Sequence, residues 1–136
     1  MSKFESSIKQ INYPVEDVYR NISDLSNLER VRDRVPEDKL QDFQFDKDTV
    51  QVSVAPVGLI KLRIIEREEN KTIKFALEGA PILANMWIQL LPATDTECAM
   101  KLTVKADLNF FIKQVIGSKL QQGVDGLAQM LASIPY

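Results

Sequence analysis

The sequence predicts an α+β fold in which one antiparallel sheet receives a long C-terminal helix. Residues 39–106 alternate apolar and polar side chains with the period of two that is typical of strands. Residues 108–134 instead repeat apolar side chains at the spacing of an amphipathic helix. Because 136 residues suit one hydrophobic core, we expect a single domain over residues 1–136.

The N-terminal part is predicted to form a strand followed by two short helices. Alternation from Phe4 to Asn12 puts three residues on one face: Phe4, Ser6 and Ile8. Pro14 suits the first turn of a helix that continues to about Leu25, since this position needs no backbone N–H donor. A second short helix is predicted over residues 28–35, before Pro36 closes the region.

Six strands are predicted next, separated by polar, glycine-containing or proline-containing turns. Their apolar residues stay on one face if the strands pair as a meander. The expected pairs are Phe43 with Val52, Phe45 with Val50, Ile64 with Ile73, Leu62 with Phe75, Ile60 with Leu77, Leu90 with Met100, Ile88 with Leu102, and Met86 with Val104. We therefore expect one wet face and one apolar face that receives the last helix.

The last helix carries one apolar stripe opposite a polar face. The stripe consists of Ile112, Ile116, Leu120, Gly123, Leu127, Met130, Leu131 and Ile134. Gly123 lies where a large side chain would be expected, so it permits either a close approach of the sheet or open volume beside the helix. Close packing is the ordinary outcome, and a cavity wall is the alternative. Asp107 or Asn109 can cap the helix.

Composition excludes several classes of function. The net charge is −2 with both signs interspersed, so no basic patch favours nucleic acid or an anionic membrane. No apolar run is long enough to span a membrane, and one cysteine, Cys98, favours the cytoplasm over an oxidising compartment. The chain has no histidine, which removes histidine general bases and makes a zinc site improbable. We expect no metal and no cofactor.

The order of elements resembles the helix-grip superfamily of the START domains, the major birch pollen allergen and the polyketide cyclase/dehydrase-like (SRPBCC) proteins. The resemblance rests on an opening strand, Pro14, the helix containing Val18-Tyr19 and Ile22-Ser23-Asp24, and the final long helix. It covers the whole chain and implies a cavity between the curved sheet and the last helix, suited to an apolar ligand. The superfamily has no universal catalytic residue, so none is carried over.

The candidate site is the inward face of the sheet together with the helix stripe. Its predicted lining is Phe43, Phe45, Leu62, Ile64, Phe75, Leu77, Met86, Ile88, Met100, Leu102, Ile116, Leu120, Gly123 and Leu127. Such a set also describes an ordinary filled core. Polar residues of inward parity are few, namely Ser6, Gln10, Gln41 and Glu66, while Tyr13 and Tyr19 could offer hydroxyl groups to a ligand.

These features favour binding or transport of a hydrophobic small molecule, such as a lipid, an isoprenoid or a polyketide. A cyclase or dehydratase acting through tyrosine or carboxylate groups is the enzymatic alternative, which the absence of histidine disfavours. A protein-interaction module without a ligand is the third. Trp87 is predicted on the outer face opposite Thr103, where it and Leu91 could support a weak homodimer.

Overall fold

The computed structural model describes residues 2–34, 43–54, 58–79 and 82–136, and its elements follow the predicted order. The first part comprises β1 (Ser2–Glu5), β2 (Lys9–Ile11), helix α1 (Val15–Ile22) and a 3₁₀ helix (Leu25–Arg34). Six strands follow: β3 (Gln44–Phe45), β4 (Thr49–Val54), β5 (Gly58–Glu68), β6 (Thr72–Glu78), β7 (Ala84–Pro92) and β8 (Cys98–Ala106). The last element is helix α2 (Phe110–Ala132).

The strands form one antiparallel sheet in the order β1-β8-β7-β6-β5-β4-β3, with β2 also paired to β8. The predicted six-stranded meander is therefore confirmed, and the N-terminal strands close it by pairing with the last strand. Two predicted registers are also confirmed, because Phe45 pairs with Val50, and Leu90 pairs with Met100. The same register of β7 and β8 places Trp87 opposite Thr103, as predicted.

The predicted opening strand is divided into β1 and β2 by an irregular segment. Glu5 pairs with Thr103 and Lys9 pairs with Met100, so the three residues 6–8 face only the two residues 101–102. One extra residue on one strand is a β-bulge, which changes which side chains face inward. Ser6 is buried but Ile8 is exposed, so the prediction that Ile8 shares the inner face is wrong.

The predicted register of the β5–β6 hairpin is wrong by two residues. Ile64 pairs with Phe75 rather than Ile73, and Ile65 is an extra residue before Glu66 pairs with Lys74. Because the shift is an even number, Ile64 and Phe75 still face the same side of the sheet. The turn lies later than predicted because Asn70 adopts a left-handed conformation with φ of 59°, which asparagine tolerates.

The core lies between the inner face of the sheet and the helices. Helix α1 contributes Val15, Val18 and Ile22, and it contacts β7 and the 3₁₀ helix. The 3₁₀ helix contacts β3 and contributes Leu25. Ion pairs are on the surface, as between Arg63 and Glu78 at 2.7 Å. No helix in the described part of the chain has the length and apolar character needed to cross a membrane.

Some predicted features fall outside the described residues. These are the end of the second short helix at residue 35, the beginning of the third predicted segment at residues 39–42 with Gln41, and most of the turns at residues 56–58 and 79–81. The predicted pairing of Phe43 with Val52 does not occur within β3, which begins at Gln44.

Candidate functional site

Helix α2 is held along the edge of the sheet formed by β1 and β2. Its N-cap is Asn109, whose side chain accepts a hydrogen bond from the Ile112 N–H at 2.8 Å. Gln121 donates from Nε2 to the Glu5 carbonyl at 2.8 Å, and Gln129 Oε1 accepts from Lys9 Nζ at 3.1 Å. These two contacts turn one flank of α2 toward the β1–β2 edge. The main contacts of the helix are with β8, β1 and β2.

The most buried face of α2 overlaps the predicted stripe only at Leu131. It is formed by Gly117, Val124, Ala128 and Leu131, and Ile134 of the stripe is buried just after the helix. At about 100° per residue, this face is rotated by roughly a quarter turn from the stripe through Ile116 and Leu127. Most of this face consists of the smaller residues Gly117, Val124 and Ala128, so a pattern of large apolar side chains predicts a different face.

The predicted stripe instead forms an apolar flank of α2 on the side opposite Gln121. Ile112, Ile116, Leu120, Leu127 and Met130 are half-buried there. Since Gln121 and Gln129 face the β1–β2 edge, this flank is turned toward the inner face of the more central strands. Leu120, Leu127 and Met130 pack against the hydrophobic core from this flank.

Gly123 lies in the middle of this half-buried flank and is itself exposed. A Cβ atom added to Gly123 would meet nothing within 4 Å, and the same is true of Gly126. The expectation of close packing at Gly123 is therefore wrong. Gly123 also does not belong to the buried face of the helix. The helix has open space beside the glycine because the buried face is formed by other residues.

The sheet residues of the predicted lining fall into two groups. Seven are buried, namely Phe43, Ile64, Phe75, Met86, Ile88, Met100 and Leu102. Three are half-buried, namely Phe45, Leu62 and Leu77. Leu62 pairs with Leu77 and with Val50, and Val50 pairs with Phe45, so the half-buried residues lie side by side from β3 to β6. The inner face is thus filled near β7 and β8 and less covered toward β4.

The predicted polar residues do not converge on this apolar region. Gln10 is exposed and pairs with Glu97, and Glu66 is exposed beside Lys74 at 3.8 Å. Ser6 is buried, but its Oγ accepts from the Leu102 N–H at 2.9 Å and donates to the Ser7 carbonyl. Each of these groups already has a partner within the protein.

Tyr13 and the C-terminal residue, Tyr136, form an aromatic pair with ring centroids 5.9 Å apart. The Tyr136 hydroxyl donates to the Leu131 carbonyl at 2.6 Å. Burial raises the pKa of Tyr136, and burial followed by the charge of Glu16 raises the pKa of the Cys98 thiol. A raised pKa keeps both groups protonated and disfavours either as a nucleophile. Among the described residues, no group of three or more acidic or cysteine side chains could hold a metal ion.

No protein-family model matches the chain, and no curated protein matches its sequence. Solved structures do resemble it. A protein from Thermobifida fusca matches with a TM-score of 0.68 and 16% identity, over 97% of this chain and 91% of that one. Norcoclaurine synthase from Thalictrum flavum, in complex with dopamine and hydroxybenzaldehyde, matches with a TM-score of 0.72 and 12% identity, over 95% and 81%.

A START superfamily protein from Mycobacterium smegmatis matches with a TM-score of 0.57 and 10% identity, over 95% of this chain and 98% of that one. The chain has the helix-grip fold of the START and Bet v 1-like proteins. Identities this low show the fold alone. The helix-grip assignment made from the order of elements is confirmed.

The outer face of the helix-grip sheet carries a separate, polar groove of about 310 Å³. Its lining is Lys3, Glu5, Trp87, Gln89, Lys101, Thr103 and Lys105. Lys74 and Lys105 place their Nζ atoms 5.3 and 5.7 Å from the centre of the Trp87 ring. Glu5 pairs with Lys101 and with Lys3, and these two lysines, Lys101 first, lower the pKa of the carboxyl group.

Sequence reasoning missed the small residues that seat α2 on the helix-grip sheet. Gly117, Val124 and Ala128 repeat at spacings of seven and four, which is a helical period. That spacing was an available signal. It was obscured because the larger residues on the adjacent flank have a stronger apolar pattern.

Proposed function

We propose that the chain, acting as a single domain, binds a hydrophobic small molecule between the sheet and α2. The carrying observation is the half-buried apolar flank of α2, where Leu120 and Leu127 pack against the core and the exposed Gly123 leaves room for a further group. Leu62 and Leu77 supply half-buried apolar surface on the sheet. A lipid, an isoprenoid or a polyketide-like molecule has the chemistry to cover such surface.

Apolar area provides the driving force for this binding. Removing apolar surface from water contributes roughly 25 cal/mol per Å², so each half-buried leucine or isoleucine that a ligand covers contributes on the order of 1 kcal/mol. The named wall residues, Leu62, Leu77, Ile116, Leu120 and Leu127, carry no polar side-chain atoms. They would select a ligand by its shape and hydrophobicity. Polar groups at the ends of the space would orient the ligand.

Native mass spectrometry of freshly purified protein tests the proposal directly. We expect a retained apolar compound that disappears when the protein is unfolded, extracted with organic solvent and refolded. Refolded protein should then bind an environment-sensitive apolar dye. Protein that never carries a compound and binds no dye would favour the alternative of an interaction module without a ligand.

The two exposed glycines of α2 provide a matched pair of variants. Gly123→Leu places bulk on the apolar flank, whereas Gly126→Leu places it on the outward side about a turn later. Neither position offers a clash, since nothing lies within 4 Å of the added Cβ. Both changes should raise the free energy of unfolding by up to about 1 kcal/mol, because glycine disfavours helix.

We expect only Gly123→Leu to reduce dye binding, by about tenfold, because it fills the space that the dye occupies. The measurement is a fluorescence titration of each variant, with urea unfolding as the check on stability. Equal dye affinity in both variants would contradict a binding site on this flank. A loss of roughly 1–3 kcal/mol of stability in Gly123→Leu would indicate a filled core instead.

The enzymatic alternative draws on one comparison. Norcoclaurine synthase shares the fold and was solved with dopamine and hydroxybenzaldehyde, so a structurally similar enzyme accommodates two small aromatic molecules. The apolar walls named above offer no acid or base to a substrate. Binding without chemistry is therefore the favoured function, and turnover of a retained compound during incubation would reverse that preference.

We also propose a cytoplasmic location and a weak homodimer through the outer face near Trp87. The single cysteine favours a reducing compartment. Trp87 and the exposed Leu91 provide apolar area on that face, but the neighbouring lysines would meet their own copies across a two-fold axis.

A further inference from the structure

The beginning of α2 exposes large apolar side chains. Phe110, Phe111 and Val115 are 70%, 79% and 69% exposed, and Leu83 before β7 is 64% exposed. The Leu83 carbonyl accepts from the Asp107 N–H at 2.9 Å, which brings it next to the beginning of the helix. The two phenylalanine rings are 6.1 Å apart. We call Leu83, Phe110, Phe111 and Val115 the apolar tip.

Helix formation does not require these phenylalanines. Asn109 already caps the helix, and the first turn contains no acidic residue although the helix dipole favours one there. None of the four residues of the apolar tip belongs to the hydrophobic core or packs against it. Adjacent exposed aromatic rings in a monomer indicate contact with something outside the chain.

Within α2 the charges next to the apolar tip are positive, while Asp107 lies just before the helix. Residues 108–124 contain Lys113 and Lys119 but no aspartate or glutamate, although the whole chain carries a net charge of −2. Lys113 follows Phe110 by three positions and Lys119 follows Val115 by four, so both lysines neighbour the apolar tip on the helix. The interspersed charge of the whole sequence conceals this acid-free segment.

We propose that the apolar tip docks on the surface of an anionic phospholipid bilayer. Phenylalanine side chains next to lysines are the combination that inserts into the headgroup boundary and attracts anionic lipids. The four side chains expose roughly 500 Å², which is less than the ~800 Å² per partner of a stable protein interface. The area is sufficient for reversible attachment to a membrane and small for a dimer.

This surface is distinct from the space proposed for the ligand. Phe111 and Val115 lie on the outward side of α2, whereas the ligand would contact the flank through Ile116 and Leu127. Membrane docking can therefore be tested without any apolar ligand, and its failure would leave the binding proposal intact.

Vesicle flotation of the full chain tests the docking. The probes are vesicles of pure phosphatidylcholine and vesicles containing roughly a third phosphatidylglycerol, at low and physiological salt. We expect binding to the anionic vesicles that weakens with salt. Phe110→Ser/Phe111→Ser should lower the partition coefficient by about tenfold or more, and Lys113→Gln/Lys119→Gln should lower it severalfold on anionic vesicles only.

Leu59→Ser is the matched control, because Leu59 is 57% exposed but lies on β5, away from the apolar tip and from Trp87. We expect this variant to float like the unaltered protein. As a second readout, Phe111→Trp in a Trp87→Phe background should shift its emission to the blue on anionic vesicles.

Several results would overturn the proposal. They are no binding of the unaltered protein to anionic vesicles at low salt, equal binding by the double phenylalanine variant, or an equal loss in Leu59→Ser. A dimer in sedimentation that Phe110→Ser/Phe111→Ser dissociates, without vesicle binding, would assign the apolar tip to a second copy of the chain instead.

Discussion

Trp87 shows how a single side chain reports the register of the sheet. It is half-buried between Lys74 and Lys105 on the outer face. Cation–π contact at such a site contributes about 0.5–1 kcal/mol, and the lysine stems shield the ring. We expect emission of a partly hydrated indole, unchanged by an apolar ligand.

Iodide should quench this emission more strongly than caesium, because the surrounding lysines attract the anion. Lys74→Gln should reduce the difference between the two quenchers. Emission that neither ion quenches would contradict the outer-face position of Trp87.

Tyr136 links stability to pH at the residue scale. Burial, and then the neighbouring Cys98, raise the pKa of its phenol above the ordinary value of 10.0. The unfolded chain therefore releases this proton at a lower pH than the folded chain. The associated stability is complete below about pH 10 and is lost as pH rises above it.

We expect the free energy of unfolding to fall between about pH 9 and pH 11, and to fall less in Tyr136→Phe. Urea unfolding at both pH values measures the difference, and comparison within each protein removes the constant cost of the lost hydrogen bond to Leu131. An identical fall in both proteins would show that Tyr136 ionises equally in the folded and unfolded states.

At the scale of elements, the orientation of α2 determines which substitutions are costly. Leu131 is buried, whereas Leu120 lies on the half-buried flank. Leu131→Ala should therefore cost roughly 2–5 kcal/mol, and Leu120→Ala should cost less because it opens no enclosed cavity.

Urea denaturation of the two variants distinguishes the observed orientation from the predicted stripe, in which Leu120 would be central. A larger loss for Leu120→Ala than for Leu131→Ala would mean that the helix is rotated by about a quarter turn from the structure. Ser118→Ala, on an exposed position of the same helix, should change stability by less than about 0.5 kcal/mol.

For the whole molecule, the distribution of charge governs self-association. A two-fold contact over Trp87 would bring Lys3, Lys101 and Lys105 close to their copies, and Glu5 offsets only part of this charge. Like charges repel less at high ionic strength. We expect any dimer through this face to strengthen with added salt and to be lost in Trp87→Ser, as measured by sedimentation equilibrium. A dimer that salt weakens would place the interface elsewhere.

Periodicity by itself determined the order of elements, the meander and the inner face of most strands, because alternating burial is imposed locally along each strand. Periodicity did not predict the two β-bulges. Whether Ile8 or Ile65 pairs or projects depends on the partner strand, and alternation within one strand carries no information about an extra residue opposite it.

Only the tertiary structure decided which face of α2 packs on the sheet and which of its residues remain exposed. The sequence marked a broad apolar helix, but Gln121 and Gln129 fix its orientation through hydrogen bonds to strands more than a hundred residues earlier. In this orientation Gly117, Val124 and Ala128 are buried, whereas Gly123, Phe110 and Phe111 are exposed. A helical pattern ranks residues by hydrophobicity, whereas burial depends on which face the rest of the fold can approach.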